Sequence, residues 1–185
     1  MESKGFTPEN PMRLYADGVF DLFHFGHGRL FEQCKKKFPY VHLIVGVAGD
    51  HDVCTLKGKP LMNQDERAKS VEQCKWVDQV VCPCPWVCTV EFMDQIGADF
   101  ICHDDIPYTM GADEAGDVYA PSKRAGRFLA TQRTEGVSTS DLIVRMIQKN
   151  DILMRNSSKK DSKGFRHYEK SIKKGMDSLL SLMEN

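Results

Sequence analysis

His24 and His27 stand where a protein chain commonly binds phosphate. They belong to the stretch His24-Phe25-Gly26-His27, which follows a strand-like pattern at residues 12–16 and precedes a helix-like pattern at residues 28–36. At such a junction both imidazoles would lie beside the free N–H groups of a helix N-terminus, which attract anions. The spacing alone is modest support, and one surface histidine plus one core histidine is the alternative at this point.

The elements around this pair alternate between strand and helix. Residues 40–48 form a nearly continuous apolar run, typical of a strand buried on both faces of a parallel sheet. A Gly/Lys-rich loop is predicted to follow this run. Further strands are predicted at residues 77–82 and 99–102, and helices at 90–95, 118–126 and 139–149. Another helix is predicted to begin at Asn63, and caps are predicted at Asn63, Thr89 and Ser138. The alternation predicts an α/β fold, a Rossmann-like doubly wound parallel sheet in a single domain with a C-terminal helical tail.

In this architecture ligands bind beyond the carboxyl ends of the strands. Four unusual segments fall there, one after each predicted strand: residues 17–21 (DGVFD), 57–59 (KGK), 85–86 (PW) and 103–105 (HDD). Each has an ordinary explanation as a turn, a solvated charge or a partly buried ring. Together they would surround one crevice with two imidazoles, a lysine, carboxylates and an indole.

The chain is expected to divide into an N-terminal extension (residues 1–11), a main domain (12–155), and a polar linker with an amphipathic helix (156–185). Apolar residues form one stripe between residues 168 and 183. Packing of this helix onto the domain or a partner subunit is the favoured interpretation, and peripheral contact with a membrane surface is the alternative.

Composition excludes several classes of protein. The 185 residues carry a net charge of −1, so no overall basic field attracts nucleic acid. No apolar run reaches the length of a membrane span, and the first eleven residues lack a signal-peptide core. The sequence therefore predicts a cytoplasmic protein.

The seven cysteines are expected to be free thiols, since their number is odd and their spacing irregular. Cys82, Cys84 and Cys88, with Cys102 and His103 further on, raise the alternative of a zinc site. The paired C-x2-C spacing of a typical zinc site is missing, so apolar filling is the favoured interpretation.

Five motifs together carry a family resemblance: YADGVFDLFHFGH (15–27), LKGK (56–59), CPW (84–86), HDDIPY (103–108) and QRTEGVSTSDLI (132–143). In order and spacing they resemble the cytidylyltransferases of the HxGH nucleotidyltransferase superfamily, and within them the choline-phosphate branch. The resemblance covers residues 13–151. It implies a transferase that joins CTP and phosphocholine into CDP-choline and pyrophosphate.

The resemblance also implies a mechanism. The phosphate of phosphocholine would attack the α-phosphorus of CTP in line, with no covalent enzyme intermediate, so positioned cations and donors would be the catalysts. The implied catalytic residues are His24, His27, Lys57 and Arg133. The histidines would hold phosphates, Lys57 would neutralise charge between the substrates, and Arg133 would hold the phosphate tail.

Further residues are implied to contact the two substrates. Around the nucleotide these are Gly18, Val19, Phe20, Asp21, His103, Asp104, Tyr108, Gln132, Thr134, Glu135, Gly136, Ser138 and Thr139. Ser138 and Thr139 are alternatively only helix caps, and Asp21 is expected to pack behind His24. A quaternary ammonium offers no N–H donor, so aromatic faces and a carboxylate would select it, and Trp86, Tyr108 and Asp17 are the candidates. Arg67 is expected to be a structural partner of a carboxylate.

Mg²⁺ would accompany CTP, with no protein ligands assigned. A homodimer is implied, with residues 75–78 near the interface. Sister enzymes acting on ethanolamine phosphate or glycerol phosphate, and a nucleotide-binding regulatory module without activity, remain as alternatives.

Overall fold

The computed structural model describes residues 6–106 and 117–157, with residues 150–157 described by their backbone. Its strands are β1 (Met12–Gly18), β2 (Val41–Ala48), β3 (Gln79–Cys84), β4 (Phe100–Asp104) and β5 (Phe128–Thr131). Its helices are α1 (Phe25–Lys35), α2 (Asp50–Leu56), α3 (Gln64–Glu72), α4 (Val90–Gln95), α5 (Ala120–Arg124) and α6 (Thr139–Ser157).

The five strands form one parallel sheet in the order β3-β2-β1-β4-β5. Because β1 lies in the middle and the chain winds outwards in both directions from it, this is the predicted doubly wound α/β fold. The predicted fold class is therefore confirmed.

Apolar side chains cover both faces of this sheet. On one face Leu14 and Leu43 pack with Phe31 of α1, and none of the three is exposed. On the other face Tyr15 and Ile44 pack in a second cluster that includes α4. Burial on both faces explains why the sequence of β2 is an apolar run rather than an alternating pattern.

Gly46 makes room for one of these core side chains. A Cβ atom at position 46 would lie 2.0 Å from the hydroxyl oxygen of Tyr15, which belongs to the neighbouring strand β1. Glycine is therefore required where the Tyr15 ring crosses β2.

Two predicted helix starts are confirmed in detail. Asn63 accepts a hydrogen bond from the N–H of Glu66 (3.0 Å), and the Glu66 carboxylate accepts one from the N–H of Asn63 (2.9 Å). Thr89 caps α4 by accepting from the N–H of Phe92 (3.1 Å). These reciprocal bonds satisfy amides that would otherwise lack partners.

Other boundaries were wrong. The segment predicted as a Gly/Lys-rich loop contains α2, the strand β5 was missed, and α1 begins at Phe25 rather than at residue 28. Strands β1, β3 and β4 each end two residues later than predicted, α5 is shorter than predicted, and α6 continues past residue 149.

By their internal contacts, residues divide into one unit, Met1–Thr139, and a second, Ser140–Asn185. The predicted amphipathic helix at residues 167–183 lies outside the described residues. Among the helices that the structure describes, none is both long and apolar enough to cross a membrane.

The cysteines are free thiols, as predicted. Burial raises the pKa of the Cys84 thiol to about 12 and raises that of Cys88 as well, which keeps both protonated. In the described part of the chain no three His, Cys, Asp or Glu side chains are arranged to hold a metal ion, a finding that argues against the zinc alternative.

Candidate active site

The two histidines form the N-terminus of α1 itself. His24 is the N-cap residue, and its Nδ1 accepts a hydrogen bond from the N–H of Gly26 (3.1 Å). His27 in turn accepts at its Nδ1 from the N–H of His24 (3.3 Å), and the two rings stack with centroids 3.8 Å apart. The imidazoles thus replace the Ser, Asp or Asn that usually caps a helix.

This arrangement fixes the tautomers of the rings. An Nδ1 atom that accepts a hydrogen bond carries no proton, so the proton of each neutral ring lies on Nε2. Burial, together with the charges of His24 and Lys57, lowers the pKa of His27 to about 3. His27 is therefore neutral at physiological pH and acts as an N–H donor from Nε2, which suits an anion better than proton transfer does.

Gly26 allows a second segment to approach the histidines. A Cβ atom at position 26 would lie 2.8 Å from the side chain of Val137 and 3.0 Å from the His24 ring. Val137 is buried and lies within the RTEGVST motif. The small residue between the two histidines therefore brings that motif against the start of α1.

Arg133 and Lys57 bring two positive charges to this region. The amide side chain of Gln33 on α1 holds the backbone of Gln132 with two hydrogen bonds of 2.9 Å, which ties the residue before Arg133 to α1. Lys57 follows α2 and is exposed as a residue, yet partial loss of water and the charge of Arg133 lower its pKa. A lysine whose pKa is lowered by a neighbouring cation is typical of an anion site.

A pocket opens beside Lys57 at the carboxyl ends of the strands. Eleven residues line it: Asp17, Gly18, Val19, Ala48, Lys57, Cys84, Pro85, Trp86, His103, Val118 and Tyr119. The segments that follow four different strands therefore meet here, as the doubly wound fold predicts.

A buried carboxylate and stacked rings form the wall of this pocket. Asp17 is 6% exposed, and its Oδ1 accepts a hydrogen bond from the Tyr119 hydroxyl (2.9 Å). The His103 ring stacks on Tyr119 with centroids 4.5 Å apart. Burial raises the pKa of Asp17, while His103 and the Tyr119 hydrogen bond partly offset that rise. The wall therefore combines aromatic faces with negative charge.

His103 is a titratable group beside that carboxylate. Burial opposes its protonation, but the hydrogen bond to Asp104 and the charge of Asp17 outweigh burial and raise its pKa. Its Nδ1 lies 3.5 Å from the Asp104 carboxylate. The charge on this wall of the pocket consequently depends on pH, and His103 stays protonated to a higher pH than a free imidazole does.

Arg67 is a structural residue, as predicted, and it is fully buried. Its guanidinium donates to the Asp50 carboxylate at 2.6 Å. It also donates to three carbonyl oxygens, those of Val19 (2.6 Å), Ala48 (2.8 Å) and Met62 (3.1 Å). One side chain thus joins the segments that follow β1 and β2 to the loop that precedes α3.

The other residues predicted at the site have more varied positions. Thr139 donates from its hydroxyl to the carbonyl of Asp21 (2.9 Å), and Phe20 turns inward against His27. The Asp21 carboxylate binds backbone N–H groups and does not line the pocket. Exposed positions are occupied by Gln132, Arg133, Glu135 and Gly136, half-buried ones by Asp104, Thr134, Ser138 and Thr139. Tyr108 lies outside the described residues.

Tyr119 is the polar pocket residue that the sequence reasoning missed, and the apolar Ala48 and Val118 were missed with it. Tyr119 is 102 positions from Asp17 along the chain and follows a long Gly/Asp-rich segment, so no local pattern connects the two. The available signal was an aromatic residue at the point where the chain returns to a helix after that segment.

Comparison with known proteins gives a consistent result. The family described as Cytidylyltransferase-like matches residues 15–145. The chain is 56% identical to a probable choline-phosphate cytidylyltransferase of Schizosaccharomyces pombe, over 79% of this chain and 40% of that protein. It is 47% identical to choline-phosphate cytidylyltransferase A of Homo sapiens, over 84% of this chain and 42% of that protein.

A further relative is the ethanolamine-phosphate cytidylyltransferase of Dictyostelium discoideum, 43% identical over 76% of this chain and 38% of that protein. The chain thus spans half or less of the lengths of the curated relatives it matches. Among solved structures, a lipopolysaccharide core biosynthesis protein from Thermoplasma volcanium GSS1 superposes with a TM-score of 0.53 at 22% identity, over 68% of this chain and 99% of that one. This last likeness concerns the fold alone.

Proposed function

The chain belongs to the cytidylyltransferase-like family, and we propose that it transfers the cytidylyl group of CTP to phosphocholine, giving CDP-choline and pyrophosphate. The observation that carries this proposal is the pocket, which combines a lysine with a buried carboxylate and aromatic rings. An acceptor with a phosphate at one end and a quaternary ammonium at the other matches both parts.

In this mechanism the chain's own groups stabilise charge. His24, His27 and the N-terminal amides of α1 bind phosphate oxygens of CTP. Lys57 lies between the α-phosphate and the phosphate of the acceptor, and Arg133 holds the tail of the nucleotide. An oxygen of phosphocholine then bonds to the α-phosphorus while the bond to pyrophosphate breaks, and no proton has to move to or from the protein.

The wall of the pocket supports choline over ethanolamine. Trp86 and Tyr119 offer aromatic surface, and the Asp17 charge lies behind them. One carboxylate oxygen is already bonded to Tyr119, which leaves less acceptor capacity for a primary ammonium that needs hydrogen bonds. A quaternary ammonium needs only the charge and the aromatic faces.

Pyrophosphate release from CTP tests this proposal when it is measured with phosphocholine, phosphoethanolamine and glycerol phosphate in parallel. We expect phosphocholine to give the highest kcat/KM. If the protein turned over phosphoethanolamine but not phosphocholine, the proposed acceptor would be rejected. No release with any acceptor would leave the regulatory module as the better interpretation.

Replacing Trp86 should affect the acceptor and not the nucleotide. For Trp86→Leu we expect the KM for phosphocholine to rise about 2- to 30-fold, corresponding to a cation–π contribution of about 0.5–2 kcal/mol. The KM for CTP should stay unchanged in the same steady-state assay. Tyr40→Leu is the matched control, because it removes an exposed ring just before β2, at the end of that strand away from the pocket. Equal effects on both KM values would count against the assignment.

The charge state of His103 should control acceptor binding. Because the pKa of His103 is raised from its usual value near 6.5, lowering the pH through that raised pKa adds a positive charge beside Asp17. We expect the KM for phosphocholine to rise more steeply with falling pH in the wild type than in His103→Gln. Ionisation of the substrate phosphate, whose second pKa is about 6, affects both proteins equally. Parallel pH profiles of the two proteins would reject this role.

Mg²⁺ is part of the proposal as a companion of CTP. The described residues bring no three acidic, histidine or cysteine side chains together in a way that could hold a metal ion. We therefore assign no residue to the ion, which would neutralise phosphate charge when bound with the nucleotide.

We also propose a homodimer with residues 75–78 near its interface. Trp76 is half-buried, with the amine of Lys75 4.7 Å and that of Lys36 5.8 Å from its ring centre, so an aromatic surface is framed by cations there. Sedimentation equilibrium should give twice the monomer mass, and a monomer at micromolar concentration would contradict it.

The cytoplasmic location stays a prediction. So does the role of the amphipathic helix predicted at residues 167–183. Packing onto the protein is the favoured interpretation, with membrane-surface contact as the alternative. Vesicle binding that is lost on truncation after Asn156 would support the membrane alternative, and unchanged binding would reject it.

A further inference from the structure

Asp21 lies at the meeting point of the three segments that carry the proposed phosphate-binding groups. Its carboxylate accepts hydrogen bonds from the N–H groups of Leu61 (2.8 Å) and Met62 (2.9 Å), in the loop that follows Lys57. Its own carbonyl accepts from the hydroxyl of Thr139 (2.9 Å) in the RTEGVST motif. Asp21 is 7% exposed and lies three residues before His24, and each of these bonds joins it to another segment of the same chain.

The backbone on both sides of Asp21 is strained. Phe20 and Leu22 have φ angles of 56° and 47°, in the left-handed region that residues other than glycine rarely occupy. Such a conformation is unfavourable and persists only where surrounding contacts hold it. The sharp turn directs the Asp21 carboxylate at the loop after Lys57, and Leu22 N–H also donates to that carboxylate (3.1 Å).

The loop bound by Asp21 is held from its other side by Arg67. The Met62 N–H donates to Asp21, and the Met62 carbonyl accepts from the Nε of buried Arg67 (3.1 Å). At the near end, the N–H of Lys57 donates to the carbonyl of Val53 (3.0 Å). Lys57 therefore lies between a fixed helix end and a loop whose position depends on Asp21.

We propose that Asp21 is a positioning residue, which sets the place of the Lys57 amine, and that it does not bind nucleotide. The catalytic importance of that amine rests on the function proposed above, but the link between Asp21 and Lys57 does not. In this respect the proposal replaces the nucleotide contact that the family resemblance implies for Asp21.

Electrostatics agree with the geometry. Partial loss of water and the charge of Arg133 lower the pKa of Lys57, whereas Asp21 raises it. Lys57 in turn contributes to the lowered pKa of His27, after burial and His24. Without the carboxylate of Asp21, both lowering influences on Lys57 would act unopposed.

The test is Asp21→Asn in the full chain, with the Lys57 amine titrated by NMR and assigned by its disappearance in Lys57→Arg. We expect the titration midpoint of Lys57 to fall in Asp21→Asn, and the high-pH limb of kcat/KM to move to lower pH with it. We also expect kcat to fall about 10- to 100-fold, as a displaced catalytic group would cause. Asp65→Asn, an exposed carboxylate in the first turn of α3, is the matched control and should leave all three unchanged.

A second variant keeps the proposal testable if Asp21→Asn does not fold. Asp21→Glu retains the charge but displaces it by one methylene, so kcat should fall while the Lys57 midpoint stays near that of the wild type. An unchanged midpoint and pH limb in Asp21→Asn, or a wild-type kcat in Asp21→Glu, would overturn the proposal. Since the NMR titration needs no turnover, an inactive wild type would refute the proposed function without deciding the role of Asp21.

Discussion

Lys57→Ala is expected to lower kcat for cytidylyl transfer by about 10²- to 10³-fold, with a smaller change in either KM. Removing one preorganised group that stabilises transition-state charge has an effect of this size. Lys57 is the cation that lines the pocket, and Arg133 lies close enough to lower its pKa, so it is placed for negative charge that develops between two phosphates.

Steady-state kinetics with saturating CTP and phosphocholine measure this loss. Lys59→Ala removes an exposed lysine two positions along the same loop and should leave kcat within about twofold, as surface charges usually do. A loss confined to the KM for phosphocholine would mean that Lys57 binds the ground state only. Equal losses in the two variants would mean that overall positive charge, rather than this position, is responsible.

Arg67→Met should lower the free energy of unfolding by about 3–5 kcal/mol, the largest stability effect we expect in this chain. The side chain is fully buried and its loss would leave the carbonyls of Val19 and Ala48 and the carboxylate of Asp50 without this donor. Buried acceptors without a partner carry their full desolvation penalty.

Urea unfolding of both proteins measures this difference directly. Arg29→Met removes a comparable ion pair, with Glu32, from the surface, where the Arg29 side chain is 60% exposed. This control should change stability by less than about 1 kcal/mol. A loss below 1 kcal/mol for Arg67→Met would show that the buried guanidinium is not what joins the strand ends.

The predictable parts of the fold are those that a short stretch of sequence determines by itself. The apolar run of β2 is continuous because both of its faces are buried, and the Asn63–Glu66 pair satisfies amides within one helical turn. By contrast, α2 buries only Val53 and resembles a polar loop. The strand β5 has four residues and lies at the edge of the sheet, so its pairing with β4, rather than its own pattern, defines it.

The start of α1 was placed too late because histidine is not a usual cap. Only the coordinates show that the Nδ1 atoms of His24 and His27 take the place of a capping oxygen. The same bonds put the protons on Nε2 and give the rings their role as donors. A sequence pattern can indicate that the two rings lie at a helix N-terminus, but not which nitrogen faces the ligand.

The candidate site was predictable where it follows strand ends and not where it depends on distant contacts. Asp17, Lys57, Trp86 and His103 were predicted to converge and do line one pocket. Tyr119 was not predicted, since its bond to Asp17 spans 102 positions. Asp21 reaches Leu61 and Met62 across some forty residues, a contact that no local motif records.

Stereochemistry at the α-phosphorus tests the central claim most directly, namely that this site passes the cytidylyl group straight from CTP to phosphocholine. The measurement uses CTP with sulfur in place of one non-bridging oxygen at that phosphorus, in a single known configuration, and determines the configuration of the thio-substituted CDP-choline by ³¹P NMR. In-line attack by the acceptor, supported by the histidine pair and Lys57, predicts complete inversion. Retention would require an intermediate on the enzyme, and the absence of any such product would contradict the proposed reaction.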